Sequence, residues 1–308
     1  MSVKLSPTEI YSRWEKELEV IKDLPYAPAD TYRNLIVMLQ TCEVQLSEIN
    51  VKKRDIYNQM LAISRFLMAH VFQLGNGAYQ LAKTGFGNPG LIICRSILES
   101  LTELSYLWLV KKINPELGDV ERDAWVEYIN MNRSSVLSHW EQFKQHKENK
   151  GETVEKILED PVIEQVREKA AQYIEDYPHS KNGRNWAKIT PLVKRARAVD
   201  DTGWLKRGIP EKGINGFDNF SLEEEYITIY KHTSEYAHGE SGSIQSLYET
   251  QGNRGTIIIG ASDSNVITTL GLATNYLLVF LYVFAILNRL DLRAILNELE
   301  RQGFIAPK

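Results

Sequence analysis

The feature that most constrains the fold is an uncharged stretch near the end of the chain. No Asp, Glu, Lys or Arg occurs from Asn265 to Asn288, and the segment TLGLATNYLLVFLYVFAIL within it is long enough to cross a bilayer as a helix. The stretch also contains several Thr and Asn residues, follows Asp263, and runs into the amphipathic segment RLDLRAILNELE. Because a helix that is apolar on all sides also suits the centre of a large bundle, we expect a buried core helix here. A membrane-associated helix is the alternative.

Helical periodicity dominates the rest of the chain. Apolar residues recur at spacings of three and four from Ile56 to Leu74, for example, which is typical of one buried helix face. The segment SLYETQGNRGTIIIG, at about 246–260, instead predicts a small β-hairpin. The sequence therefore predicts an all-α, multi-helix bundle with a long buried C-terminal helix and at most one hairpin.

The domain organisation follows from the absence of internal repeats and of linkers rich in Pro or Ser. We expect a single helical domain over residues 1–308. Within it, about 1–50 form a helical N-terminal extension and about 56–288 form the core. The alternative is a domain boundary near residue 150.

Several helix ends are marked by local signals. Ser6 to Glu9 and Ser221 to Glu224 have the capping-box pattern, in which a serine and a glutamate cap the same helix start. The composition of 85–90, GFGNPG, predicts a turn. Residues 186–199 predict a short basic helix, and the glycine-rich segment 200–220 predicts an irregular loop, which is either a binding element or a mobile connection.

Composition excludes some classes of function. The net charge of −4 gives the chain no overall polycationic character, and the N-terminus lacks the apolar segment of a signal peptide. The two cysteines, Cys42 and Cys94, lie in apolar helical segments, so we expect buried thiols in a reducing cytoplasm. Two cysteines are too few for a cysteine-based zinc site, and no other pattern predicts a metal or cofactor.

One region departs from the overall charge. Residues 181–212 contain nine Lys and Arg against three Asp and Glu, a local charge of +6. Such a region could bind a nucleic acid or an acidic partner protein. The alternative is a solvated helix face and loop with no partner.

Two lines of polar residues stand out on apolar helices. Arg95 and Glu99 are spaced i, i+4 on a helix of Leu and Ile, where an isolated buried charge would be costly, so we expect them to be paired. Tyr230, Ser234 and His238 follow one another at intervals of four along a second helix.

Each line has two interpretations that the sequence leaves open. Arg95 and Glu99 form either an internal ion pair that fixes helix register or part of a functional cleft. His238, which precedes Gly239 at a helix end, is either a general acid/base or anion-binding group beside two hydroxyls, or a C-capping residue. The candidate catalytic residues are His238, Arg95, Glu99, Ser234 and Tyr230.

A third pattern is the pair Arg65 and His70, separated by four residues. This spacing resembles the signature of the helical ribonuclease superfamily of bacterial toxins and phage-defence proteins. There the arginine is usually followed by a polar residue, whereas here Phe66 follows it. The departure puts ribonuclease chemistry at this pair in doubt, and residues at the edge of the core are the alternative.

The chain also resembles a family of bacterial helical proteins known as domain-of-unknown-function family 5677. The resemblance is carried by the glycine turn leading into Arg95-Ser96-Ile97-Leu98-Glu99, by the Trp186 helix, and by the pattern Y-x3-Y-x3-S-x3-H from Tyr226 to His238. It covers about 56–238 and implies that the five candidate residues belong to one site. It implies no reaction.

Two functions are therefore expected from the sequence. The first is an effector or enzyme acting on a phosphate-bearing substrate such as RNA, with His238 as acid/base, Arg95 as anion binder, Glu99 as its orienter and 181–212 as a substrate guide. The second is a non-catalytic sensor or interaction module, in which the polar lines are a buried network and the basic region docks a partner. A homo-oligomer is compatible with both.

Overall fold

The computed structural model describes residues 5–48, 59–152, 160–180, 185–206, 220–237, 248–251, 254–257 and 261–304. These residues form eleven α-helices and one two-stranded sheet, with short 3-10 segments at Ile21–Asp23 and Pro178–Ser180. The helices are α1 (Pro7–Val20), α2 (Ala29–Glu48), α3 (Gln59–Lys83), α4 (Gly87–Ile113), α5 (Gly118–Glu127), α6 (Ile129–Glu148), α7 (Asp160–Asp176), α8 (Leu192–Asp201), α9 (Leu222–Ala237), α10 (Val266–Leu287) and α11 (Leu292–Arg301). The all-α prediction is confirmed.

The predicted hairpin lies within the expected segment. Strand β1 (Tyr248–Gln251) pairs with β2 (Arg254–Ile257) in antiparallel register, with Tyr248 opposite Ile257. This pair is the whole sheet in the part of the chain that the structure describes.

The chain divides into two compact units. The first unit comprises Met1–Trp108 and Leu192–Lys308, and the second comprises Leu109–Pro191. Residue 150, the alternative boundary considered from the sequence, lies inside the second unit. The expectation of a single domain stays a prediction.

Helix α10 is the centre of the first unit, where it packs against α2 and α3. It is the one described helix long and apolar enough to cross a membrane, but 72% of its apolar stretch is buried inside the protein. Tyr276, Phe280 and Phe284 are among its fully buried side chains. The prediction of a buried C-terminal core helix is confirmed.

Close contacts between helices explain two glycines in the middle of α3. A Cβ atom on Gly75 would lie 2.9 Å from Leu277 of α10 and 3.0 Å from Leu39 of α2. On Gly77 it would lie 3.3 Å from Ile93 of α4. The helix continues through both positions because the missing side chains let neighbouring helices approach closely.

The predicted turn at 85–90 is shorter than expected. Gly85 has a left-handed φ of 78°, but α4 already begins at Gly87 and includes Pro89 in its first turn. Proline is tolerated there because the first amides of a helix have no partner within the helix. Gly87 instead serves packing, since a Cβ would collide with the backbone of Ser264 and Val266 at the start of α10.

The predicted basic helix at 186–199 also begins later than expected. Residues 186–189 are bends, and α8 starts at Leu192, directly after Pro191. Proline has no N–H to donate and disfavours a helical conformation in the preceding residue, here Thr190.

In the second unit, α6 packs against α7 and α5 against α6. Apolar residues recur at helical spacing from Trp125 to Phe143, but two helices, α5 and α6, cover this segment and meet at Tyr128. Several apolar residues of α6 are exposed, including Val136 with 68% of its surface accessible.

Candidate functional site

The site lies in the first unit, where α9 is fixed at its N-terminus by two side chains. Ser221 Oγ accepts a hydrogen bond from the Glu224 amide at 3.3 Å, which is the serine half of the predicted capping box. Asp200, at the end of α8, accepts from the Leu222 and Glu223 amides at 3.1 and 2.9 Å. Because Asp200 also accepts from the Ser221 hydroxyl at 2.8 Å, α8 and α9 are joined through one cap.

A second attachment joins α9 to the core helix. The hydroxyl of Tyr276 on α10 donates to Glu225 Oε2 at 2.6 Å. Burial and this hydrogen bond raise the pKa of Tyr276 far above its usual range, so the phenol stays protonated and remains a donor. The direction of α9 over the bundle is therefore fixed by polar contacts at its first turn.

On α4, Arg95 and Glu99 form the ion pair that their spacing predicts. Arg95 Nε donates to Glu99 Oε1 at 2.8 Å, and the two side chains are 25% and 33% exposed. Burial by itself would lower the pKa of Arg95, but the hydrogen bond and charge of Glu99 outweigh it, so the pKa is raised. The guanidinium group is permanently charged at this position.

Two tyrosines of α9 complete the cluster. The guanidinium carbon of Arg95 lies 4.1 Å from the centre of the Tyr230 ring, a cation–π contact. The Tyr226 ring stacks on that of Tyr230, with centres 5.4 Å apart and planes 28° apart. Burial and the nearby Glu99 carboxylate raise the pKa of Tyr226. Residues about 135 positions apart by subtraction are thus brought into direct contact.

The polar line on α4 continues to Glu103, one turn beyond Glu99. Arg195 of α8, which is buried, lies 3.9 Å from the Glu103 carboxylate. On the same helix, Arg197 makes a two-pronged ion pair with Glu223 of α9. Two arginines of the basic region are therefore used inside the first unit, which lowers the charge that this part of the region presents outward.

The structure brings together three of the five candidate residues, namely Arg95, Glu99 and Tyr230. Ser234 lies in the last turn of α9, and its side chain is outside the described residues, as is the whole of His238. The assignment of these five residues to one functional site stays a prediction.

Tyr226, which the family pattern includes, is not among the five candidate residues, although it lies four residues before Tyr230 and so shares its helix face. Glu103 and Arg195 are not among them either. Glu103 was visible as the next i+4 position after Glu99, whereas nothing in the sequence near Arg195 indicates its partner.

Arg95 contacts Glu99 through its Nε–H and Tyr230 through the flat face of its guanidinium group. Neither contact is made by the two terminal Nη groups. Within the described residues no acceptor bonds to either Nη group. Two parallel N–H groups of this kind match the oxygens of a phosphate or carboxylate. No group of three His, Cys, Asp or Glu in the described part of the chain could hold a metal ion.

Comparison with known families decides where the chain belongs. Residues 61–256 match the model of a family described as "Family of unknown function (DUF5677)", which is more than half of the chain. The chain belongs to this family. The resemblance to it is thereby confirmed, and the DUF5677 segment includes all five candidate residues. No curated protein and no solved structure matches the chain.

The ribonuclease-like pair outside this cluster has a structural use. Arg65 Nε donates to Asn288 Oδ1 at 3.0 Å, and the amide of Asn288 donates to Ser64 Oγ at 3.0 Å. These contacts tie α3 to the end of α10. His70 is exposed, five residues along α3, and therefore about 140° from Arg65 around the helix. The ribonuclease resemblance stays a prediction.

Proposed function

We propose that the Arg95–Tyr230 face binds a phosphate-bearing substrate, with RNA as the class, and that the protein is an effector or enzyme acting on it. The observation that carries this proposal is the state of Arg95. Its guanidinium is charged, one-quarter exposed and held from two sides, while its Nη groups have no acceptor among the described residues. This is the arrangement of a pre-positioned anion-binding group.

The contacts of Arg95 are better explained by a role in binding an anion than by a contribution to stability alone. It meets Glu99 through one hydrogen bond rather than a bidentate pair, and partly exposed pairs of this kind contribute little to stability. Glu99 fixes the direction of the guanidinium, and the Tyr230 ring fixes its plane. Tyr230 is 41% exposed, so its edge and hydroxyl are available to a base or sugar.

The chemical step is assigned to the end of α9. We place His238 as the general acid/base and Ser234 and Tyr230 as the neighbouring hydroxyls that orient the substrate. The remaining exposed cations of 181–212 would guide the substrate.

A second candidate function is a non-catalytic sensor or interaction module. The observation in its favour is the internal use of charge: Glu99 neutralises Arg95, and Glu103 and Glu223 neutralise Arg195 and Arg197. In that case the cluster fixes the packing of α4, α8 and α9. Its loss would then change stability without changing the affinity for RNA.

The test uses the full chain and a fluorescein-labelled single-stranded RNA. We expect wild type to bind the RNA and Arg95→Gln to weaken binding by roughly tenfold or more, because charge-assisted hydrogen bonds are lost. Arg197→Gln is the matched control, since Arg197 is already satisfied by Glu223, and it should change affinity less than threefold or so. His238→Ala should keep binding but stop cleavage of the RNA on a gel.

Urea unfolding of each variant separates the two candidate functions. If wild type binds RNA and Arg95→Gln binds equally well, the proposed site is wrong. If wild type does not bind or cleave RNA, the proposed substrate class is wrong. Loss of stability in Arg95→Gln, without any RNA binding by wild type, would support the interaction module.

A further inference from the structure

The second unit exposes an unusual number of large apolar side chains. Of the fourteen exposed large hydrophobic residues in the described part of the chain, seven lie within 109–191. Three of them, Val136, Phe143 and Val162, are 68%, 51% and 43% exposed. Where such side chains lie next to one another, the exposed apolar surface usually marks a binding site.

Part of this surface lines a groove between α6 and α7. The groove has a volume of about 560 Å³, and its apolar wall is formed by Val136, Leu137, Trp140, Val162 and Val166. Small-ligand sites typically have volumes of about 300–1,000 Å³ and mostly apolar walls with a few polar groups. The groove is therefore of the size of a small-molecule site.

The groove has a cationic end. Arg133 of α6 and Lys169 of α7 also line it. The two helices run in opposite directions, because Tyr128, just before α6, contacts Tyr173 near the end of α7, whereas Glu141, further along α6, pairs with Arg167, earlier on α7. Arg133 lies five residues after Tyr128 and Lys169 lies four residues before Tyr173, so the two cations are at about the same level. Val136 is likewise level with Val166.

These two cations differ from their neighbour Arg167. No carboxylate among the described residues lies within ion-pair distance of Arg133 or Lys169, whereas Arg167 contacts both Glu141 and Glu164 at 2.7 Å. The positive charge at this end of the groove is therefore not neutralised by the chain around it. It would attract an anion.

We propose that this groove binds a fatty carboxylate, with the acyl chain along Val136, Leu137 and Val166 and the carboxylate between Arg133 and Lys169. A second copy of the chain fits less well, because the lining has two cations and no acidic residue to pair with the same cations of a partner. The proposal concerns the second unit and does not depend on RNA binding at Arg95.

The test titrates the full chain with dodecanoate below its micelle concentration, followed by calorimetry. Dodecanol and dodecylamine have the same chain with a neutral and a positive head. We expect dodecanoate to bind tightest and dodecylamine weakest. In the double variant of Arg133→Gln with Lys169→Gln, dodecanoate should lose roughly tenfold or more in affinity and dodecanol should change little. Arg167→Gln, on the same helix, is the matched control and should leave all three unchanged.

Three results of the titration would overturn the proposal: dodecanoate does not bind, the three probes bind with equal affinity, or the double variant binds dodecanoate as tightly as wild type. A fourth result would come from light scattering. If the protein is a dimer that Val136→Glu dissociates, the groove is an interface between copies of the chain. Val166→Glu should abolish binding of dodecanoate and dodecanol, and circular dichroism checks that it folds. If it does not fold, the double variant still decides.

Discussion

Replacing Gly87 by alanine should destabilise the first unit, although alanine is the better helix former. The added Cβ would overlap backbone atoms of Ser264, Asn265 and Val266, which cannot rotate away as a side chain can. The same contact carries a hydrogen bond from Thr269 Oγ1 to the Gly87 carbonyl at 2.7 Å. Separating α4 from α10 would therefore also strain that bond.

The magnitude follows from two opposing effects. Overpacking of this kind typically costs about 1–3 kcal/mol. The gain in helix propensity from Gly to Ala is about 0.5–1 kcal/mol in a helix interior and smaller at Gly87, which is the first residue of α4. We therefore expect Gly87→Ala to lower the free energy of unfolding by about 1–3 kcal/mol.

Gly271 provides the matched control within the same unit. It lies in α10, and a Cβ there would meet no atom within 4 Å. Gly271→Ala should therefore raise the free energy of unfolding by about 0.5–1 kcal/mol. The measurement is urea unfolding followed by far-ultraviolet circular dichroism at constant protein concentration. Equal or stabilising effects for both substitutions would refute the close approach of α4 and α10.

Two further predictions concern side chains that join helices of the first unit. Asp200→Ala removes the acceptor for the amides of Leu222 and Glu223, so it should lower the free energy of unfolding by about 1–2 kcal/mol in urea; no change would mean that the cap is not formed. Burial alone would raise the pKa of Glu17, but the hydrogen bonds from Lys83 and Tyr79 lower it. Its stabilisation is thus present above the unfolded pKa and lost as pH falls through the folded pKa. The stability difference between wild type and Glu17→Gln should therefore shrink as the pH falls below the usual pKa range of a glutamate, and a difference that stays constant with pH would contradict this.

Much of the fold could be predicted because its signals are local. The capping box at Ser6 is present in full, with the Ser6 amide donating to Glu9 at 2.7 Å and the Glu9 amide donating to Ser6 Oγ at 3.4 Å. The uncharged stretch at α10 predicted a buried helix, since so many apolar side chains need to be covered on every side. Both signals depend only on neighbouring residues.

Contacts between distant segments could not be predicted in the same way. The composition of 85–90 indicates a turn, and only the arrival of α10 shows that Gly87 is required for close packing. The cap formed by the Ser221 hydroxyl was predicted. The carboxylate that accepts further amide hydrogen bonds at the start of α9 belongs to Asp200 of α8, which the local pattern does not indicate. The apolar residues of α6 predicted a helix, and their spacing does not tell whether the face is covered, as exposed Val136 shows.

The candidate site was predictable in part for the same reason. The i, i+4 spacing gives the Arg95–Glu99 pair, because both residues lie on one helix face. That this pair meets Tyr230 depends on how α4 and α9 pack, and here the family resemblance supplied what spacing could not. The partner of Arg195 is set by packing as well, so no local pattern indicates it.

The most direct test of the central claim, that Arg95 binds a phosphate group, is a double-mutant cycle with the substrate. It compares the affinity of wild type and Arg95→Gln for single-stranded RNA with normal phosphates and with neutral methylphosphonates. If Arg95 contacts a phosphate, the two changes are not additive, and we predict a coupling free energy of about 1.5–3 kcal/mol. Additive effects, within about 0.5 kcal/mol, would show that Arg95 does not contact a phosphate and would contradict the account.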